Sequence, residues 1–442
     1  MSLALCGGTV LTALHPARLA TVDVLIEEGR VAALGAVPTG VPRRDCSGCL
    51  VVPGNVNAHT HLYSALARGM PYRLPPPANF LQILQRVWWR LDRALDEESI
   101  RASALVAGME ALLAGTTTVI DHHASPNAID GSLDVIAEAL EELGLRSVLC
   151  YEVTDRDGPE RAGAGLRENA RFLREQRPLA RGLVGAHASF TLSRETLAAC
   201  VALAREASRG VHIHVAEDPV DERDAEARFR RRVVHRLAEA GALDGGAVLA
   251  HCVHVDGAEA ALIGERGATV AHNARSNMHN AVGHAPLHRL GPRVVLGTDG
   301  IGSDMFAESQ AAYWRGREEE IFLSPTWPLQ RLAAGADLAG QIFAEPLLGR
   351  ITPGAPADLA VLQYTPPTPL QEENVAGHWL FGLSARLVRD VLVAGELVVA
   401  DRRLVRVDQE AVAATAARQA RRLWGRLEEI GPHDFVPAGG PG

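Results

Sequence analysis

Leu50-Val51-Val52-Pro53-Gly54-Asn55-Val56-Asn57-Ala58-His59-Thr60-His61 decides the fold of this chain. It is an apolar run that arrives at two histidines one residue apart. Alternate residues of a strand project the same way, so two imidazoles at this spacing can grip one metal ion from a single face. An H-x-H pair alone occurs by chance on many surfaces. Here three more runs follow in order. Val211-His212-Ile213-His214-Val215 is β-branched and ends in His, with Glu217 three residues on. Ala247-Val248-Leu249-Ala250 ends at His251, and Val294-Val295-Leu296-Gly297-Thr298 ends at Asp299. Each apolar run delivers a potential ligand or proton carrier at its end.

All 44 basic residues are Arg; the sequence contains no Lys. That excludes Schiff-base catalysis, a P-loop lysine, and a carboxylated lysine bridging two metals. The remaining donors suit one divalent ion held by three His and one Asp, with a water completing the shell.

The same spacing extends outward into a fold. Thr116–Asp121, Leu145–Tyr151, Gly182–His187 and Ala268–His272 add four strand-like runs to the four above. Amphipathic helices are predicted around 133–143, 161–176 and 193–207. Eight alternating β/α units over about 300 residues predict an α/β fold with a (β/α)8 TIM-type barrel. The barrel should occupy 54–354. Short β-like runs at 9–11, 22–26 and 30–34 have counterparts at 357–362 and 388–396. They predict a small β-sandwich built from both chain ends, residues 1–53 and 355–409. A helix over 411–430 and a flexible Gly/Pro tail should complete residues 410–442.

Composition narrows the partners. With 442 residues, 47% hydrophobic and 22% charged, the chain has the composition of a globular protein. The net charge of −9 disfavours nucleic acid and anionic membranes. No apolar run is long enough to cross a bilayer, and Met1–Gly8 lacks a basic leader. A cytoplasmic location follows as the default, with a small-molecule substrate and a homodimer as the possible assembly. Six scattered Cys include one C-x-x-C, Cys46–Cys49. With no second pair to complete a zinc knuckle, reduced structural thiols are the expectation, and a redox or metal role the alternative. The cluster Arg228–Arg232 lies among acidic residues and predicts a solvated, ion-paired helix face. Trp88-Trp89, in a helix predicted over 79–95, is expected in the core or at a subunit interface; the other reading is a substrate stacking platform.

Pro53-Gly54-x4-His59-x-His61, His214-x-x-Glu217, His251 and Thr298-Asp299-Gly300 together resemble the amidohydrolase superfamily, most closely its cytosine/guanine deaminase and chlorohydrolase branch. Finer stretches are similar to the SsnA-type aminohydrolases: Asp121–Pro126, Tyr151–Gly158, Ala186–Thr191 and Ser303–Phe306. The resemblance covers essentially the whole chain. It implies that His59, His61, His214 and Asp299 bind the metal, that Glu217 and His251 are catalytic, and that His187 contacts substrate. Family members use zinc or iron; zinc is the expectation here and iron the alternative.

Those assignments carry a chemistry. A divalent ion lowers the pKa of its water from about 15.7 to about 7, which makes hydroxide available at neutral pH. Asp299 can ligate the ion and accept the water's proton. Glu217 can carry a proton to a ring nitrogen and then to departing ammonia. His251 can hydrogen-bond the attacking oxygen. The expectation is hydrolytic deamination of a nitrogen heterocycle such as a purine or pterin. Hydrolytic dechlorination and cyclic-amide cleavage are alternatives on the same scaffold, and a non-catalytic binding module keeping all four ligands is disfavoured. His122 and His123 follow the second strand, where substrate or shell contact and a structural role stand as equal readings. His254, three residues past His251, is expected to be structural. His279 and His284 fall in a polar loop over 273–286 that is expected to line the pocket.

Overall fold

Eight parallel strands run through the middle of the chain in a computed structural model that describes residues 2–439. They are β1 (Asn55–Thr60), β2 (Thr116–His123), β3 (Arg146–Tyr151), β4 (Val184–Ala188), β5 (Val211–Val215), β6 (Val248–His251), β7 (Thr269–His272) and β8 (Val294–Leu296). One sheet joins β1, β2 and β3, with Ala180–Gly182 at its edge; the other joins β4 to β8 in sequence order. Backbone hydrogen bonds cross both seams between the sheets. His61 N–H donates to Asp299 O (3.2 Å) and Thr298 N–H to His59 O (2.8 Å) on one side. Val153 N–H donates to Gly185 O (3.2 Å) and His187 N–H to Val153 O (2.9 Å) on the other. All residues of these eight strands are buried.

Helices cover the strands as amphipathic periodicity predicts. Ser132–Leu143 buries Leu133, Ile136, Ala137 and Leu140 on one face. Pro159–Phe172 and Arg194–Glu206 occupy the other two predicted stretches. Among the described residues no helix is long and apolar enough to cross a membrane.

One reading of the opening stretch needs correction. Leu50–Pro53 is a strand, but it does not lead the histidines into the central sheets. It pairs antiparallel with Leu359–Leu362 and parallel with Thr9–Ala13. The strand that carries His59 begins only at Asn55, and four of its six residues are polar. Asn57 explains why that is tolerated: its side chain donates to Thr298 Oγ1 (2.7 Å) and Ser303 Oγ (2.9 Å), so its burial leaves no amide proton unpaired. Gly54 makes the transition between the two sheets. A Cβ there would lie 2.2 Å from Thr117 Oγ1 and Cγ2.

Both chain ends do meet. A seven-stranded sheet joins Thr9–Ala13, Arg18–Thr21 and Leu50–Pro53 to four strands from 359–404, the junction being Leu50–Pro53 against Leu359–Leu362. A four-stranded sheet of residues 2–45 stands beside it, and Leu5, Ile26 and Val31 share one apolar cluster with Val51, Leu359, Val361 and Leu392.

The C-terminal helix runs Gln409–Glu429. Residues 431–439 are tied down by specific bonds. His433 N–H donates to Gln85 O (2.9 Å), Gln85 Nε2 to Phe435 O (2.9 Å), and Ala438 N–H to Asp224 Oδ1 (2.7 Å). Residues 440–442 lie outside the described residues. The helix predicted over 79–95 is also interrupted. A π turn at Leu84–Trp88 separates Phe80–Ile83 from Trp89–Ala94, and Trp89 N–H bonds Leu84 O, five residues back. Such turns recur at functional sites.

Candidate metal and catalytic site

At the C-terminal ends of the strands the backbone itself is under strain. Ala216, His251, Cys252 and Asp299 all adopt positive φ, between 45° and 73°. Non-glycine residues accept that region only where surrounding structure enforces it, and such positions cluster at functional sites. Here it turns side chains at the ends of β5, β6 and β8 into one space.

His59, His61, His214 and Asp299 meet there. His61 Nε2 lies 3.1 Å from His214 Nε2 and 2.9 Å from Asp299 Oδ1; His59 Nε2 is 3.5 Å from the same oxygen. The Nδ1 protons are committed elsewhere. His61 Nδ1–H donates to His122 O (2.6 Å) and His214 Nδ1–H to His187 O (2.8 Å). Two bare Nε2 lone pairs therefore face each other across 3.1 Å, an arrangement that repels unless a positive charge stands between them. His59 Nε2 is buried without any hydrogen-bond partner among the described residues. Burial opposes a charge on His61, yet Asp299 raises its pKa to about 9, so the cluster favours one cation. Neutral imidazoles with Nδ1 anchored in this way, plus a carboxylate, fit a divalent metal ion.

Several residues that hold the ligands were not singled out among the candidates. His212 Nε2 accepts from His59 Nδ1–H at 2.8 Å; it shares the inward face of β5 with His214. Alternation alone could have found it. Ser276 Oγ donates to Asp299 Oδ2 from the loop after β7. Asn277 Oδ1 accepts from His251 Nδ1–H (2.8 Å), which turns the bare Nε2 of His251 toward Glu217 Oε2, 3.6 Å away. Asn280 Nδ2 donates to Glu217 Oε1 at 3.3 Å. All three lie in the 273–286 segment, which opens as a short helix, Ala274–His279; Asn280 is its one residue among those lining the cleft, and His279 and His284 are not among them. Burial, reinforced by the charge of Asp299, pushes the Glu217 carboxyl well above its ordinary range. That direction favours the protonated acid at Glu217.

The cleft above the cluster contains about 670 Å³ of empty space, counting its open mouth. Its floor is polar: His61, Glu152, His187, His214, Glu217, Asn280 and Asp299. Its wall is apolar and aromatic: Tyr63, Phe80, Leu84, Trp88, Trp89, Phe190 and Val220. Trp88 and Trp89 both belong to this wall, and Trp89, 1% exposed in an apolar cluster with Phe80, Leu84 and Phe190, also has the core role expected of it. His187 lines the floor as expected. Its Nδ1 bonds Thr191 Oγ1 (2.6 Å), its Nε2 stands 3.6 Å from Glu152 Oε1, and burial holds its pKa down at about 3. It is a neutral ring.

His122 does not reach the cleft. It is fully buried beneath the cluster, with Nδ1 on Glu152 Oε2 (3.1 Å) and Nε2 on His212 O (3.0 Å). Both ring nitrogens are used, so it supports the site from below instead of meeting a substrate. His123 bonds Ser125 Oγ (2.9 Å), and His254 bonds Val282 O (2.8 Å); both are structural. Glu152 was not singled out from the sequence. It links His122, His187 and Arg156 beneath the floor.

The sequence pattern of the amidohydrolase family matches residues 50–398. The chain is 31% identical to the 5'-deoxyadenosine deaminase of Methanopyrus kandleri, over 96% of this chain and 99% of that one. It is 32% identical to the 5-methylthioadenosine/S-adenosylhomocysteine deaminase of Desulforudis audaxviator, over 91% and 95% respectively. Among solved structures it resembles an adenosine deaminase from Xanthomonas campestris with bound zinc. That likeness has a TM-score of 0.82 and 25% identity, and covers 97% of this chain and 99% of the other.

Proposed function

The chain belongs to the amidohydrolase family, and on that premise we propose that it is a hydrolytic deaminase of adenosine derivatives using one zinc ion. The carrying observation is the convergence of His59, His61, His214 and Asp299 at strand ends with the buried Glu217 carboxyl beside His251 and Asn280 on the floor of an aromatic cleft. The relatives' names supply the substrate class, and the zinc in the Xanthomonas campestris deaminase supplies the choice of metal.

A divalent cation held by these four residues supplies a Lewis acid that makes water nucleophilic near neutral pH. The chain's residues do the rest. Water adds to the ring carbon bearing the amino group, and its proton passes to Asp299 or to the bare Nε2 of His251. Glu217 gives its proton to the adjacent ring nitrogen; the proton held by Asp299 or His251 passes to the amino group, which leaves as ammonia, and the remaining proton of the added hydroxyl restores Glu217 as the C=O bond forms. His251, anchored through Nδ1–H, serves as an acceptor; the oxyanion-stabilising role expected from the sequence belongs to its protonated form. His187 offers a neutral imidazole to the substrate, and Trp88, Trp89 and Phe190 receive its flat or apolar part. A chlorohydrolase or cyclic-amide hydrolase would use the same nucleophile, but both relatives named above are deaminases.

In this reading the eight strands form a barrel over 54–354, and the two terminal sheets, from 1–53 and 355–409, form a sandwich. The supporting facts are the hydrogen bonds across both seams and the shared apolar cluster. All six cysteines are free thiols, which suits a cytoplasmic enzyme. A homodimer is the proposed assembly, checked by light scattering. The function itself is tested by metal analysis and by ammonia release from adenosine, 5'-deoxyadenosine, 5-methylthioadenosine and S-adenosylhomocysteine. Zinc-loaded protein inert toward all four would overturn it.

A further inference from the structure

Trp89 is held by residues that come from the far end of the chain. Its indole is 1% exposed and lines the cleft. The His433 ring packs against it edge-on at 5.2 Å and the Phe435 ring at 5.8 Å. Phe435 also reaches Phe190, 6.5 Å away, a ring that itself lies 6.4 Å from Trp89. The Arg156 guanidinium lies over the indole at 5.2 Å.

The segment bearing His433 and Phe435 is anchored at both ends and in the middle. Arg90 caps the preceding helix by donating to Leu427 O and Ile430 O, both at 2.6 Å. The carbonyl of Gln85, within the π turn just before Trp89, accepts from His433 N–H, and the Gln85 side chain returns a bond to Phe435 O. His433 Nε2 stands 3.4 Å from Asp157 Oδ1, and His433 Nδ1 accepts from Phe435 N–H at 3.0 Å. Beyond Phe435 the chain crosses to the helix Pro219–Phe229, where Ala438 N–H meets Asp224. That helix carries Val220, on the other side of the cleft. A nine-residue segment thus bridges two walls of the cleft more than 130 positions apart in sequence. The Nε1–H of Trp89 is buried and has no acceptor among the described residues.

We propose that the C-terminal segment, through His433 and Phe435, sets the position of the Trp89 indole and so determines affinity for the part of the substrate that lies against the aromatic wall. Neither residue lines the cleft; both are positioning residues that act through Trp89. The inference rests on the deaminase reading only for the identity of the substrate.

The test compares Phe435→Ala, Phe435→Leu and wild type in the full-length, metal-loaded protein. Adenosine and 5-methylthioadenosine are the probes. For Phe435→Ala, KM and the calorimetric Kd should rise roughly three- to tenfold, the scale of one lost aromatic edge contact. kcat should stay within about twofold, and metal content should be unchanged. Phe435→Leu, which keeps most of the apolar bulk, should recover most of the affinity. Acrylamide quenching should rise in Phe435→Ala, and the increment should vanish when Trp89→Phe is added. Unchanged KM and Kd would overturn the proposal. So would a joint fall of kcat, metal content and Tm that Phe435→Leu does not rescue, since that marks a merely structural tail. If wild type neither binds nor deaminates either probe, the functional reading fails instead, and the quenching difference alone decides whether the tail holds Trp89.

Discussion

Replacing Glu217 by Gln separates proton transfer from metal binding more cleanly than any other change in this site. Glu217 is three residues past His214 and is not among the convergent donors; its carboxyl faces Asn280 at 3.3 Å and His251 at 3.6 Å. Because burial and the charge of Asp299 favour the protonated carboxyl, Gln preserves that charge state as well as the shape. Its amide oxygen can still accept from Asn280. What it cannot do is release a proton. General acid–base groups contribute about 10²–10⁴ in rate, so kcat should fall at least about 10²-fold, or about 2.7 kcal/mol of transition-state stabilisation. Metal content by elemental analysis and Tm should match wild type, and substrate Kd should change little. Steady-state ammonia release, calorimetry and metal analysis on one preparation give all four numbers. Loss of metal would make Glu217 a ligand and refute the assignment. A kcat within a few-fold of wild type would mean that the proton travels through another group, His251 first.

His61→Ala or Asp299→Ala should abolish metal retention and activity while the circular dichroism spectrum stays native, because these side chains lie at strand ends outside the packed core; full metal occupancy after either change would remove that residue from the site. With no lysine to bridge a second ion, wild type should hold one ion per chain, and two required ions would contradict the mononuclear centre. Gly297→Ala should lower metal affinity without touching a ligand, since its Cβ would fall 2.8 Å from His59 Cβ and 2.4 Å from Asn273 Oδ1; unchanged metal retention would show that the strand end yields freely. Glu222→Gln tests pH linkage away from the metal. Burial, then the charge of Glu259, raises the Glu222 pKa to about 8. Between about pH 4.3 and 8 the folded state binds the proton that the unfolded state has lost, so wild-type stability falls as pH rises through that window. The variant should therefore gain on wild type from pH 5 to 8, by at most roughly 1 kcal/mol per pH unit in urea midpoints; a difference independent of pH would refute the shift.

Strand ends bearing His61, His214, His251 and Asp299 were legible in the sequence because the code for them is local. A strand needs only its own apolar run, and an inward-facing ligand needs only the two-residue period. The absence of lysine was equally local, and it settled the chemistry available before any contact was known. Helix positions followed from the 3.6-residue period for the same reason, to within a few residues.

What the local code could not assign was partnership. Leu50–Pro53 is as strand-like as any run in the chain, yet it leaves the histidines and pairs with Leu359–Leu362, because sheet membership depends on which distant edge is free. His122 and His187 both follow strands and look alike in sequence. Tertiary packing gave one of them two buried acceptors and the other a place on the cleft floor. The partners of the Gly/Pro-rich tail, Gln85, Trp89 and Asp224, lie at least 214 positions away, so nothing near it in sequence announces them. Which residues carry ligands or protons was written along the chain. Which of them meet, and what holds them in place, was decided by contacts between segments that only the folded backbone brings together.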